Sequence, residues 1–88
     1  MIILFSDDGW EDYQHWLAND QKILKRLNGL IEECRRNPFK GTGKPEPLRG
    51  SLKGWWSRRI TGEDRLVYRV QGTGKDQQLE IIQCRLHY

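Results

Sequence analysis

Three residues far apart in the chain carry side chains that together suit acid–base chemistry on a phosphate ester: Glu46, Arg65 and His87. Glu46 lies in Lys44-Pro45-Glu46-Pro47, between two prolines that stiffen the backbone by fixing φ. Arg65 follows the turn-like Thr61-Gly62-Glu63-Asp64, and His87 is the next-to-last residue. A carboxylate, a guanidinium and an imidazole fit RNA cleavage by internal attack of the 2′-hydroxyl. The carboxylate takes the hydroxyl proton, the imidazole protonates the departing 5′-oxygen, and the guanidinium stabilises charge on the phosphorane. The substrate supplies the nucleophile, so no cofactor, metal or enzymic Ser or Cys is required. Consistent with that chemistry, His, Cys, Asp and Glu nowhere stand at metal-ligand spacing.

Each residue also has a plainer use. A Glu in a polar loop is commonly only solvated, a lone strand Arg commonly pairs with a nearby acid, and a His at the chain end commonly frays. Whether the three meet depends on the elements that carry them. Ile2-Ile3-Leu4-Phe5 reads as a buried strand. Ser6 caps a first helix, Asp7 and Asp8 suit its positive end, and Trp10, Tyr13, Trp16 and Leu17 fall near helical spacing. Asp20 caps a second helix, in which Ile23, Leu24, Leu27, Leu30, Ile31 and Cys34 form one apolar stripe. Asn37-Pro38 ends it, since a residue before proline is pushed out of the helical region.

Residues 39–51 read as loop, with Gly41, Gly43, Pro45, Pro47 and Gly50 as breakers. Residues 55–60 and 65–70 read as strands joined by a tight turn at 61–64, residues 72–77 as a second turn, and residues 79–88 as the last strand. Alternation along that strand sets Gln83, Arg85 and His87 on one face, and Cys84, Leu86 and Tyr88 on the apolar face. Arg65 shares the polar face with His87 if Leu66, Tyr68 and Val70 face the helices. The order β-α-α-β-β-β predicts an α+β fold. Two N-terminal helices pack on a twisted, mainly antiparallel four-stranded sheet, in a single domain spanning residues 1–88.

Fifteen Lys and Arg against twelve Asp and Glu give a formal charge of +3, compatible with an anionic partner without requiring one. The positive charge gathers between Lys40 and Arg69, where the run Ser57-Arg58-Arg59 is placed for phosphate contact. Trp55 and Trp56 point to opposite faces, leaving one of them free to stack on a base or a partner. Cys34 and Cys84 fall on apolar periodicities and read as buried thiols. No apolar run reaches membrane-spanning length and no signal peptide is seen, so a cytoplasmic location is expected.

Gly43-Lys44-Pro45-Glu46-Pro47-Leu48, Trp56-Ser57-Arg58-Arg59-Ile60, Asp64-Arg65-Leu66-Val67-Tyr68 and Cys84-Arg85-Leu86-His87-Tyr88 closely resemble the YoeB (Txe/YoeB) toxins of the RelE superfamily. Ser6-Asp7 to Tyr13 and Arg35-Arg36-Asn37-Pro38-Phe39 are similar to that family too, so the likeness runs the length of the chain. The resemblance implies a RelE/ParE-like fold and the toxin half of a bacterial type II toxin–antitoxin system. It implies a metal-independent mRNA endoribonuclease that cuts message in the A site of the 70S ribosome and inhibits translation. A YefM-like antitoxin is the implied partner, and a homodimer is left open. Carried over by position, Glu46 is the general base, Arg65 the phosphate-stabilising arginine, His87 the general acid and Tyr88 the terminal tyrosine of the site. Lys44 and Arg59 match basic positions near the substrate, and Arg49 stands where relatives often carry Lys. The same fold also hosts ParE-like toxins that inhibit by binding alone, a use that has no need of the acid–base set.

Overall fold

The computed structural model describes all 88 residues. Strand β1 (Ile2–Phe5) leads into helix α1 (Asp7–Asn19) and helix α2 (Gln21–Arg36). Four strands follow: β2 (Glu46–Pro47), β3 (Trp56–Arg59), β4 (Arg65–Gln71) and β5 (Gln78–Gln83). The sheet order is β1-β5-β4-β3-β2, with β1 parallel to β5 and every other pair antiparallel. Two helices on a mainly antiparallel sheet match the α+β expectation, with one addition. Part of the expected loop, Glu46-Pro47, joins the sheet as a fifth, two-residue strand. It lies at the sheet edge, where a proline without an N–H is tolerated.

The helix ends are fixed locally. Ser6 Oγ accepts from Gly9 N at 3.1 Å, and one Asp20 oxygen accepts from both Lys22 N and Ile23 N at 3.1 Å. The Asp20 N–H also donates to Trp16 O, so one residue closes α1 and opens α2. The α2 stripe of Leu24, Leu27, Leu30, Ile31 and Cys34 is buried against Leu66, Tyr68, Leu79, Ile81 and Cys84 of the sheet side. Gly9 lets α1 lie on β5, because a Cβ there would come within 2.5 Å of Ile81 O.

Three expectations change. β1 is an edge strand and only half buried, with Ile2 and Leu4 outward and Ile3 and Phe5 toward the core. On α1 only Trp16 of the apolar stripe is buried, and Trp10 stacks on Tyr13 at 5.8 Å between ring centroids. The last strand stops at Gln83, five residues before the chain end, so strand alternation does not govern Arg85 to Tyr88.

Candidate active site

Residues directly opposed in an antiparallel pair share a face, so the register shows which side chains meet. Leu66 and Tyr68 belong to the helix-packed core. Arg65, Val67 and Arg69 therefore lie on the other face. On that face Glu46 of β2 opposes Ser57 of β3, Ser57 opposes Val67 of β4, and Val67 opposes Gln83 of β5. Two residues along, on the same face, Arg59 opposes Arg65. The sheet thus carries a row running from Glu46 to Gln83 and, beside it, an arginine pair.

Glu46 is exposed, and no Lys or Arg pairs with it. Its approach is set by a tight backbone: Gly43 and Lys44 both have positive φ, at 85° and 53°. Gly43 O accepts from Arg59 N at 2.7 Å, and a Cβ on Gly43 would lie 3.0 Å from Arg59 O. Only glycine fits that approach without a shift.

Arg65 is buried, and its Nη1 donates to Thr61 O at 2.9 Å, Asp64 O at 3.1 Å and Gly62 O at 3.3 Å. It therefore grips the β3–β4 turn instead of pairing with an acid. Arg59 is exposed and likewise has no carboxylate partner. Like charges directly opposed across strands repel. A phosphate is the kind of group that would relieve this pair.

The chain end reaches this face in three steps. Cys84 is held by α1: its N–H donates to Asp12 Oδ2 at 3.1 Å and its C=O accepts from Trp16 Nε1 at 2.7 Å. Leu86 is held by the β3–β4 turn: its N–H donates to Asp64 Oδ1 at 2.7 Å, and its C=O accepts from Arg65 N at 3.0 Å. Tyr88 brings its hydroxyl to 3.2 Å from Ser57 Oγ. Gln83 Nε2 adds bonds to Arg85 O at 3.0 Å and Leu86 O at 3.2 Å. His87 is exposed between these holds, its ring 4.9 Å from that of Tyr88 and its Nδ1 3.1 Å from Tyr88 O.

Of Cys84, Leu86 and Tyr88, expected together on the apolar face, only Cys84 lies there. Only the Cys84 side chain is buried; Leu86 is 56% exposed and is held by its backbone at φ 63°. Tyr88 is exposed and does not take the apolar face that alternation predicts. It lies on the same face as Glu46, through Ser57.

Arg58 is the clear correction. It was expected to contact phosphate, yet it is fully buried on the helix side, opposite Leu66. Its guanidinium donates to Asn37 O at 2.6 Å, Lys40 O at 2.8 Å, Thr42 O at 3.1 Å and Tyr68 Oη at 3.2 Å, with Glu33 Oε1 at 3.3 Å. It ties down the segment that leads to Glu46 and has no donor left facing solvent. Lys44 and Arg49 are exposed, Lys44 beside Glu46 and Arg49 just before the helical turn Gly50–Leu52.

Trp56 packs on the core and against Phe39, while Trp55 takes the other face, as alternation requires. Arg69, not an open space, covers Trp55: its guanidinium carbon sits 4.4 Å from the ring centroid and its Nε 2.9 Å from Glu80 Oε1. Sequence reasoning gave Ser57, Asp64 and Gln83 no part in seating the chain end, a part that each has here. Ser57 is small and neutral, and Asp64 reads only as a turn residue, so the one available signal was their place beside Arg58-Arg59 and Arg65. No three His, Cys, Asp or Glu side chains gather closely enough to hold a metal ion.

Residues 5–88 match the model of the YoeB-like toxin of bacterial type II toxin–antitoxin systems. The toxin YoeB of Streptomyces coelicolor is 54% identical over 88 residues, covering all of both chains. A YoeB/ParE toxin from Agrobacterium tumefaciens has 50% identity and a TM-score of 0.96, again over the full length of both. The toxin in the heterotetrameric YoeB–YefM complex from Staphylococcus aureus is 42% identical with a TM-score of 0.87, covering all of this chain and 98% of that one. The family model and the identity over the full length of these relatives agree, and the chain belongs to the YoeB-like toxins of bacterial type II toxin–antitoxin systems.

Proposed function

We propose that this toxin is a metal-independent endoribonuclease that stops translation by cutting messenger RNA in the ribosomal A site, within the bacterial cytoplasm. The observation that carries the reading is the delivery of the chain end, with His87 and Tyr88, onto the face that bears Glu46 and the opposed Arg59 and Arg65. A toxin that only bound a partner would have no use for an acid–base set beside an unneutralised arginine pair.

In this reading Glu46 takes the proton of the 2′-hydroxyl, and that oxygen attacks the adjacent phosphorus. The bond from phosphorus to the 5′-oxygen breaks as His87 gives that oxygen a proton, leaving a 2′,3′-cyclic phosphate. Arg65 stabilises charge on the phosphorane, and Tyr88 closes the site over the sugar–phosphate. Arg59, Lys44 and Arg49 bind RNA backbone, in the message or the ribosome. Arg58 takes no part in that contact. The ribosome holds the message in the geometry that a small open face cannot impose alone.

The partner is an antitoxin like the YefM of the Staphylococcus aureus complex, binding so that the exposed chain end is covered. Ribosomes carrying a labelled message test the reading. The wild-type chain is expected to cut at the A-site codon. Glu46→Ala and His87→Gln should each lose roughly 10²–10⁴-fold in rate while melting normally. Uncut message with the wild type, or full activity in both variants, contradicts it.

A further inference from the structure

Leu86 presents a question that packing does not answer. Its φ of 63° is a left-handed conformation that a leucine does not take unaided, and its side chain is exposed, so no apolar contact holds it there. Gln83 Nε2 reaches Leu86 O at 3.2 Å, but the hold that takes both of its backbone groups is the β3–β4 turn. Asp64 is buried, and its Oδ1 accepts the Leu86 N–H at 2.7 Å while the next residue's N–H donates to Leu86 O at 3.0 Å. Both backbone groups of Leu86 are thus taken by consecutive residues. The second Asp64 oxygen accepts from Thr61 Oγ1 at 2.6 Å, and that hydroxyl in turn accepts from Asp64 N and Glu63 N at 3.1 Å. The carboxylate is therefore locked in its own turn before it grips the tail. The same turn receives the Arg65 guanidinium through three carbonyls.

We propose that Asp64 is a positioning residue: by clamping Leu86 it sets where His87 stands relative to Arg65, without touching the reacting atoms. The proposal rests on the endonuclease reading above, but its structural half does not depend on activity. An N–H to carboxylate bond is charge-assisted and stronger than one to a neutral oxygen, so aspartate is the side chain suited to the task.

Amide exchange and cleavage, measured on the same proteins, test it. In the wild-type chain the Leu86 amide is expected to exchange slowly although it lies near the chain end. Exchange as fast as in a disordered peptide would overturn the clamp whether or not the protein cuts RNA. In Asp64→Ala the Leu86 amide should exchange freely. The rate at saturating toxin on ribosomes carrying a labelled message should fall roughly 10- to 100-fold, the scale of a misplaced catalytic group. The toxin concentration giving half the maximal rate should stay unchanged. Asp64→Asn should recover part of both, because its amide oxygen can still accept the Leu86 N–H.

Loss of Leu86 protection with a wild-type rate, or a loss confined to the half-maximal concentration, overturns the proposal. If Asp64→Ala does not fold, Asp64→Asn decides. Intermediate protection and rate support the clamp, and wild-type values of both overturn it. A wild-type protein that fails to cut counts against the endonuclease reading, while Leu86 exchange still judges the clamp.

Discussion

The hydroxyls of Ser57 and Tyr88 lie 3.2 Å apart, joining the last residue of the chain to strand β3. Ser57 is also the cross-strand partner of Glu46. One small side chain thus relates the terminal residue to the proposed general base, although 42 positions separate those two in the chain. Val67, next in the same row, is fully buried although it faces away from the helices.

A tag added after Tyr88 should therefore be costly. It extends the chain from a face where the terminal ring is already seated and converts the free carboxylate into an amide. Cleavage of ribosome-bound message is expected to fall roughly tenfold or more, the order seen when a reacting group is displaced. A tag before Met1 joins β1, at the opposite edge of the sheet from β2, and should leave the rate nearly unchanged. Equal rates for the two tagged proteins would show that the terminus matters less than its contacts suggest.

Arg58 and Arg59, adjacent in sequence, should fail in different ways. Arg58→Ala empties a fully buried side-chain site and leaves the partly buried carbonyls of Asn37, Lys40 and Thr42 without their donor. Its cost should be roughly 3–5 kcal/mol in stability, read from denaturant unfolding. Arg59→Ala removes an exposed side chain and should change stability by no more than about 0.5 kcal/mol while lowering cleavage. Similar unfolding midpoints for the two variants would refute the division of labour.

Burial pushes the thiol of Cys34 up to about 11 and that of Cys84 up to about 12. Neither forms a disulfide. Because the thiolate is the reactive species, iodoacetamide should modify neither at neutral pH in the folded protein and both after denaturation. Rapid native labelling of either residue would contradict its place in the core.

Glu33 should support stability above the ordinary carboxylate range. The Thr42 N–H, bonded at 2.7 Å, and then the Thr42 side chain hold its carboxyl below its ordinary value, with Arg58 assisting. A carboxylate lowered on folding stabilises the fold above its unfolded pKa, and the benefit is lost as pH falls through the folded value. Asp12, raised chiefly by burial, has the opposite sign, stabilising at low pH and losing that benefit as pH rises. Glu33→Gln should flatten the fall of melting temperature in acid, and Asp12→Asn should not. An unchanged acid limb in Glu33→Gln would show that Glu33 does not contribute to acid sensitivity.

Much of the scaffold was legible because it rests on local rules. Ser6 and Asp20 carry capping oxygens, α2 shows a clear stripe, and the alternation of β4 puts Arg65 opposite in facing to Leu66 and Tyr68. What escaped depends on partners distant in sequence. Glu46-Pro47 becomes a strand only because Trp56 and Ser57 lie beside it. The β1 residues look like a buried strand, and their place at the sheet edge follows from pairing with β5. Arg58 reads as a solvated cation because hydropathy cannot register three loop carbonyls that need a donor. The path of Arg85 to Tyr88 turns on a positive φ at a leucine, and that conformation is imposed by Asp64 from another hairpin. The candidate catalytic residues were legible by type; their seating was not.

Cleavage by the substrate's own 2′-hydroxyl under acid–base control leaves its signature in the ends of the cut message. Ribosomes carrying a labelled mRNA are incubated with the toxin and the fragment ends are identified chemically. A 2′,3′-cyclic phosphate or 3′-phosphate on the upstream fragment and a 5′-hydroxyl on the downstream one are the expected result. A 5′-phosphate on the downstream fragment would mean hydrolysis by water and would contradict the mechanism.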